Sequence, residues 1–211
     1  MDWDSEFSFS GETENSLRFS GRVEQLRRAM VNERRAAELL DFDTRTVEEV
    51  QGLLREQVHL LEGRRQEDRD IYQLDIDRVT YMLKTYCRIR LQKINEFHRH
   101  YNNADGVARV VMSAPEKRFA QKLDFLEEKH LKDCFLHCLP SEGQYQSVTK
   151  DHEMSMISEP STDGFCFYRA LCPVGAVAIE AGTITIEDKA VYLGKYAHVR
   201  NLLAQGKIEL I

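Results

Sequence analysis

The sequence lacks the features that most functional classes require. No run of about eighteen apolar residues occurs, so no membrane-spanning helix is expected. The first twenty residues contain acidic side chains instead of a basic stretch followed by an apolar one, so no secretory signal is expected. Neither GxGxxG nor GxxxxGK[ST] is present, so no phosphate-binding loop can be named. We therefore expect no cofactor, no membrane association, and a location in the cytosol or nucleus.

Cysteine is scarce, and its pattern favours free thiols. The five cysteines are odd in number and form no CxxC pair, which fits a reducing compartment better than a disulfide framework. Two of them share a helical spacing with two histidines, the set being His130, Cys134, His137 and Cys138. One straight helix cannot easily arrange four ligands around zinc, and a mid-helix cysteine lacks thiolate stabilisation. We expect no metal site and no catalytic residue, and we predict that the chain is not an enzyme.

Positive charge is not in excess. The chain of 211 residues has a formal net charge of -6, with 30% charged residues. Because affinity for duplex DNA comes mainly from phosphate neutralisation by cations, any nucleic-acid contact would require a local basic patch. We expect contact with DNA to be indirect or weak.

The first sixteen residues differ from the rest in composition. Acidic residues alternate there with Trp3, Phe7 and Phe9, and the serine and glycine content disfavours a stable element. Residues 1–16 are predicted to form a flexible acidic tail. A solvated terminus is the simpler interpretation, and a short docking motif built on the three aromatic residues is the alternative.

Apolar spacings of three and four predict a helical domain over residues 17–140. The predicted helices run from Leu17 to about Val31, in a short piece ending at Leu40, from Val47 to about Glu62, from about Gln66 to His100, and from Ala114 to Pro140. The fourth helix would be about 50 Å long at about 1.5 Å per residue, so part of it must project from a small bundle. It has one main apolar stripe and a second stripe formed by Ile71, Met82 and Ile89. The second stripe indicates contact with another subunit.

The C-terminal half of the long helix is locally basic, from Lys84 to Lys93. Arg90 lies at the centre of the main apolar stripe, so its charge must be paired with a carboxylate or with carbonyls at a helix end. We interpret Arg90 as a residue that fixes the register of an interface. A nucleic-acid-binding module using Lys84, Arg88 and Lys93 remains an alternative, and so does an unrelated helical scaffold.

The residue composition and the apolar pattern change after the predicted helices. Residues 141–163 lack periodicity and are rich in serine, glycine and proline, which predicts a linker. Residues 164–211 contain short β-rich segments and one helical pattern, which predicts a small β-rich domain with one short helix. The fold class is therefore α plus a small β domain.

Three segments together resemble a known family. They read AMVNERRAAELLD, DIYQLDIDRVTYMLKTYCRIRLQKINEF and YAHVRNLLAQGKIELI. The second segment contains the Y-x-R-x-R-L-x-K-I pattern, formed by Tyr86, Arg88, Arg90, Leu91, Lys93 and Ile94. With the L-x-x-G-x-x-x-LI ending, these segments resemble the Sld-five family of GINS subunits.

The resemblance implies a non-enzymatic nuclear subunit of the GINS heterotetramer. Its partners would be three paralogous subunits, and the tetramer would join the Mcm helicase ring to the Cdc forty-five factor in eukaryotic DNA replication. In such a subunit, the core formed with the chain's own bundle would contain Tyr72, Ile76, Val79 and Leu83. The surface meeting sister subunits would contain Met82, Tyr86, Arg88, Ile89, Arg90 and Lys93.

Overall fold

The computed structural model describes residues 10–61, 66–103, 112–140, 157–179 and 182–211. The helices in these ranges are α1 (Ser10–Arg35), α2 (Thr44–Leu61), α3 (Gln66–Asn103), α4 (Ala114–Cys134), a 3-10 turn (Leu136–Cys138) and α5 (Tyr196–Ala204). The strands are β1 (Phe165–Ala170), β2 (Gly175–Ile179), β3 (Gly182–Ile186), β4 (Val191–Lys195) and β5 (Ile208–Leu210). The α plus small β class is confirmed. Among the described helices, none has the length and apolar character needed to cross a bilayer.

Helix α1 corrects two predictions. It begins at Ser10, so residues 10–16 are helical where a flexible tail was predicted, while residues 1–9 lie outside the described part. It ends at Arg35, so the predicted helical piece up to Leu40 does not form. The backbone carbonyls of Glu38 and Leu40 instead accept hydrogen bonds from Lys93 and Arg90. These tertiary bonds outweigh the high intrinsic helix propensity of the AAELL segment.

The first compact unit comprises the described parts of residues 1–30 and 43–86. Its core consists of Leu26, Val50, Val79 and Met82, and α1, α2 and α3 each contribute to it. Asp43 caps α2, because its carboxylate accepts a hydrogen bond from the backbone N–H of Thr46 at 3.0 Å. The helix therefore begins three residues before the predicted Val47.

The second compact unit comprises residues 31–42 and the described parts of residues 87–211. One of its two cores contains Leu39, Ile94, Tyr101 and Ala120. Phe97 has non-helical backbone angles (φ -120°, ψ 27°), so α3 is kinked there. Helix α4 begins with a capping box, in which the side chains of Ser113 and Glu116 each accept a backbone N–H of the other residue.

The β-rich segment forms two small sheets. One has the strand order β4-β1-β5 with both pairs antiparallel, and the other is the β2-β3 hairpin. The second core of this unit joins Tyr168, Ile186, Tyr196 and Ile208 to Ala36, which follows α1. The β-rich segment thus packs on residues that precede α2. Most of the predicted linker 141–163 lies outside the described residues, so the division into domains 17–140 and 164–211 stays a prediction.

Candidate partner-binding surfaces

The conspicuous feature of the second unit is a buried network of charges around Arg90. The Arg90 guanidinium is fully buried and donates to Glu116 from Nε at 2.7 Å and to Glu33 from Nη1 at 2.9 Å. It also donates to the backbone carbonyl of Leu40 at 2.6 Å, and its planar group lies 5.2 Å from the centre of the Phe42 ring. The arginine therefore ties the chain that follows α1 to the first turn of α4.

Lys93 extends the network by one turn of α3. Its ammonium donates to the Glu33 carboxylate at 2.8 Å and to the carbonyl of Glu38 at 2.8 Å. Burial lowers the pKa of Lys93, and the neighbouring Glu33 carboxylate opposes that shift. Buried Arg90 and partly buried Lys93 thus face two buried carboxylates, Glu33 and Glu116, and the formal charges balance.

Four residues predicted to meet sister subunits are packed inside this chain, which corrects that prediction. Met82 lies in the core of the first unit, and the Tyr86 hydroxyl, also buried, accepts the backbone N–H of Asp43 at 3.4 Å. Arg90 was expected to pair with carboxylates and carbonyls, and it does, but they belong to its own chain. Lys93 is in the same network. Of the predicted surface, Arg88 is exposed and Ile89 is partly exposed.

The structure places three of the four predicted core residues of the long helix against the interior of the chain. Ile76 and Val79 are buried, and Leu83 packs against the core of the first unit. Tyr72, however, is 37% exposed. It lies in the N-terminal part of α3, one helical turn before buried Ile76.

A different apolar surface is exposed on α3, and the apolar stripes predicted from the sequence do not include most of it. Ile71, Leu74 and Tyr81 are spaced by three and seven residues, so they share one face of the helix. Leu74 is 71% exposed and Tyr81 is 61% exposed. We call these three residues the α3 outer stripe. Exposed apolar side chains on one face of a helix are typical of a contact surface for another protein.

The histidines and cysteines of α4 and the following turn are solvent-exposed. The Cys134 sulfur lies 3.7 Å from the His130 ring nitrogens, and the Cys138 sulfur lies 3.2 Å from Nε2 of His137. Across the described ranges, no group of three or more potential ligands could hold a metal ion.

Comparison with known proteins identifies the family. The model of the family described as "GINS complex protein helical bundle domain" (Sld5) matches residues 29–135. The "DNA replication complex GINS protein SLD5" of Arabidopsis thaliana is 31% identical, over 93% of this chain and 94% of the relative. The chain belongs to the SLD5 family of GINS proteins. The SLD5 proteins of Homo sapiens (27% identical, 97% of this chain and 95% of the relative) and Schizosaccharomyces pombe (25%, 100% of both) are also similar.

The region matched by the SLD5 family model, residues 29–135, contains every residue of the charge network. These residues are Glu33, Arg90, Lys93 and Glu116. Two cations in the locally basic part of α3, Arg90 and Lys93, therefore pair with carboxylates of the same chain and stabilise its fold. This weakens the nucleic-acid alternative, because Lys93 and Arg90 are committed to buried carboxylates and only Lys84 and Arg88 are exposed.

A hydrogen bond in this SLD5-family chain yields a test at alkaline pH. The Tyr101 hydroxyl accepts the backbone N–H of Leu39 at 2.9 Å, and burial raises the pKa of Tyr101 to about 12. In the unfolded chain this pKa is about 10, so the stabilisation from the neutral phenol is complete below about pH 10 and is lost as the pH rises toward 12. Tyr101→Phe should lower the free energy of unfolding by about 1–2 kcal/mol at neutral pH, because the Leu39 N–H loses its partner.

The difference between wild type and Tyr101→Phe should then shrink as the pH rises through this window. Urea unfolding of both proteins at about pH 8, 10 and 11 measures it. Tyr81→Phe, at an exposed tyrosine, is the matched control and should follow the wild-type curve at each pH. A constant difference between Tyr101→Phe and wild type would contradict the assignment.

Proposed function

We propose that this chain is a non-catalytic subunit of the GINS complex that scaffolds the replicative helicase during DNA replication. The observation that carries the proposal is its membership of the SLD5 family over most of its length. The relatives are named as proteins of the DNA replication complex GINS. The proposed partners are three paralogous GINS subunits, and the proposed site of action is the nucleus.

The geometry supports a role in assembly. The charges around Arg90 are paired inside the chain, so they stabilise one conformation of the fold. The α3 outer stripe, in contrast, presents large apolar side chains to solvent. We propose that this stripe, together with exposed Arg88 and partly exposed Ile89, contacts the sister subunits.

Within the larger machine, the assembled subunits would hold the Mcm helicase ring together with the Cdc forty-five factor. Contact between this chain and DNA would be indirect or weak, because the chain is acidic overall and Arg90 and Lys93 are paired with carboxylates of the chain itself. Docking through Trp3, Phe7 and Phe9 stays a prediction, since these residues lie outside the described part.

Rapid depletion of the chain in dividing cells tests the scaffolding role. The chain would carry an inducible degradation tag, and chromatin would be fractionated shortly after degradation. We expect the Mcm ring to stay on chromatin, the Cdc forty-five factor to dissociate from it, and nucleotide incorporation to fall by about tenfold or more. Expression of an untagged copy should restore both. Normal association of the two helicase components after depletion would refute the proposal.

A further inference from the structure

Helix α4 exposes large apolar side chains on the side that faces solvent. Phe125 is 64% exposed and Leu126 is 60% exposed. Phe119, two turns before Leu126, is 39% exposed. The buried residues of the helix, Glu116 and Ala120, lie on a different side. Covering the three exposed side chains requires contact with another apolar surface.

Two lysines lie among these apolar side chains. Lys122 and Lys129 are exposed, and each is three or four residues from both Phe125 and Leu126, so the four side chains share one side of the helix. Neither lysine side chain forms a hydrogen bond or an ion pair in the part of the chain that the structure describes. We call Phe119, Lys122, Phe125, Leu126 and Lys129 the α4 outer face.

The carboxylates of α4 do not neutralise these two lysines. The helix contains five lysine and arginine residues and five aspartate and glutamate residues, so its formal charge is zero. Four of the carboxylates are paired with other cations: Glu116 with Arg90, Asp124 and Glu127 with Arg99, and Glu128 with Lys132. The fifth, Asp133, lies one turn beyond Lys129 and forms no ion pair with it. The α4 outer face therefore has an excess of positive charge although the helix is neutral.

The charge and the geometry of this face define the partner that fits it. Apolar side chains bordered by unpaired lysines are complementary to apolar side chains bordered by carboxylates. A ridge of side chains along one helix packs well against a second amphipathic helix. From the exposed apolar residues and the two unpaired lysines, we infer that the α4 outer face binds an acidic amphipathic helix of a partner protein. The inference does not rest on the proposed assembly, because it concerns α4 and not the α3 outer stripe.

The spacing of the lysines sets the pattern of the partner helix. Lys122 and Lys129 are seven residues apart, which is roughly 10 Å along the axis at about 1.5 Å per residue. The partner helix therefore carries two acidic residues seven positions apart, one for each lysine. Apolar residues at spacings of three and four lie between them and cover Phe125 and Leu126.

The apolar content of the α4 outer face favours a protein over a nucleic acid. Affinity for duplex DNA comes mainly from phosphate neutralisation, and a chain with a net charge of -6 repels phosphates at longer range. A phosphate backbone would also leave Phe125 and Leu126 without an apolar surface to pack against.

Selection of helical peptides on the full chain tests this inference. The chain would be immobilised at low density, which limits self-association, and offered a library of helical peptides of about 18 residues, or five turns. The affinity of selected peptides would then be measured by surface plasmon resonance against variants of the chain. Circular dichroism would confirm that each variant keeps the helical content of the wild type.

Two variants alter the α4 outer face, and each has a matched control. Lys122→Glu combined with Lys129→Glu reverses the charge of the face. Lys84→Glu combined with Lys117→Glu makes the same change in net charge at exposed lysines outside it. Leu126→Asp places a charge at the apolar centre of the face, and Gln121→Asp introduces the same side chain at an exposed position on another side of α4.

We expect selection of peptides with apolar residues at spacings of three and four and acidic residues seven apart. Their affinity should fall by about tenfold or more with Leu126→Asp and with the charge-reversed face, and stay within about threefold with both controls. Selection repeated on the charge-reversed variant should yield basic residues at the same spacing instead.

Selection of no common pattern would overturn the inference, and so would peptides insensitive to both changes of the α4 outer face. Binding of soluble chain to immobilised chain, abolished by Leu126→Asp, would show that a second copy occupies this face. Binding of a duplex DNA oligonucleotide as tightly as the selected peptides, abolished by the charge-reversed face, would assign it to nucleic acid. Either of these results would also overturn the inference.

Discussion

Replacing Arg90 with alanine should lower the free energy of unfolding by about 3–5 kcal/mol, because it leaves two buried carboxylates without their shared cation. Glu33 would keep Lys93 as a partner, and Glu116 would lose its bonds to the guanidinium. Since Glu116 also belongs to the capping box of α4, the first turn of that helix should loosen. Urea unfolding followed by circular dichroism measures the loss.

Two further variants make the Arg90 experiment specific. Arg88→Ala, at an exposed arginine two residues away, should change the free energy of unfolding by about 0.5 kcal/mol or less. Arg90→Met combined with Glu116→Gln should be more stable than Arg90→Met alone, because glutamine still suits the capping box and the remaining Glu33 and Lys93 charges balance. An Arg90→Ala protein as stable as Arg88→Ala would show that the network contributes little.

Introducing aspartate at two positions of the α3 outer stripe should prevent assembly. Leu74→Asp combined with Tyr81→Asp places two charges where the proposal puts a sister subunit, and each charge would have to be desolvated without a partner. We expect the yield of complex co-purified with the paralogous subunits to fall by about tenfold or more. The chain's own fold should survive, because both side chains are mostly exposed.

The matched control is Gln73→Asp, which introduces the same side chain at an exposed position on another face of α3. It should leave the yield of the complex unchanged. Met82→Asp is unsuitable for this purpose, because Met82 is in the core and its loss would unfold the first unit. Full recovery of the complex with both stripe positions substituted would remove the α3 outer stripe from the interface.

Much of the fold was predictable from local patterns. The bounds of α3, the capping box at Ser113 and Glu116, and the positions of the β strands follow from periodicity and turn residues within short windows. Ile76 and Val79 were predicted as core for the same reason, since the spacing of apolar residues fixes which face of a helix is buried.

The parts that could not be predicted depend on contacts between distant segments. Periodicity indicated that Arg90 needed a carboxylate, but Glu33 and Glu116 are 57 and 26 residues away along the chain. No local pattern could tell whether these carboxylates belonged to this chain or to a partner. The end of α1 at Arg35 has the same origin, because Lys93 and Arg90 bind the carbonyls of Glu38 and Leu40.

The α3 outer stripe was present in the sequence and was missed. The spacing of Ile71, Met82 and Ile89 predicted a second stripe on α3. That face of the helix lies closer to the buried face than the α3 outer stripe does. The spacing of Leu74 and Tyr81 from Ile71, by three and ten residues, is the signal that could have found it.

The mass of this chain in solution tests the central claim most directly. Multi-angle light scattering would be applied to the chain expressed alone and to the chain co-expressed with its three proposed paralogous partners. The account predicts self-association or aggregation of the chain alone, driven by its exposed apolar side chains, and a single complex of one copy each on co-expression. A soluble monomer under both conditions, with no paralogous subunit bound, would contradict the claim that this chain is a subunit of a GINS assembly.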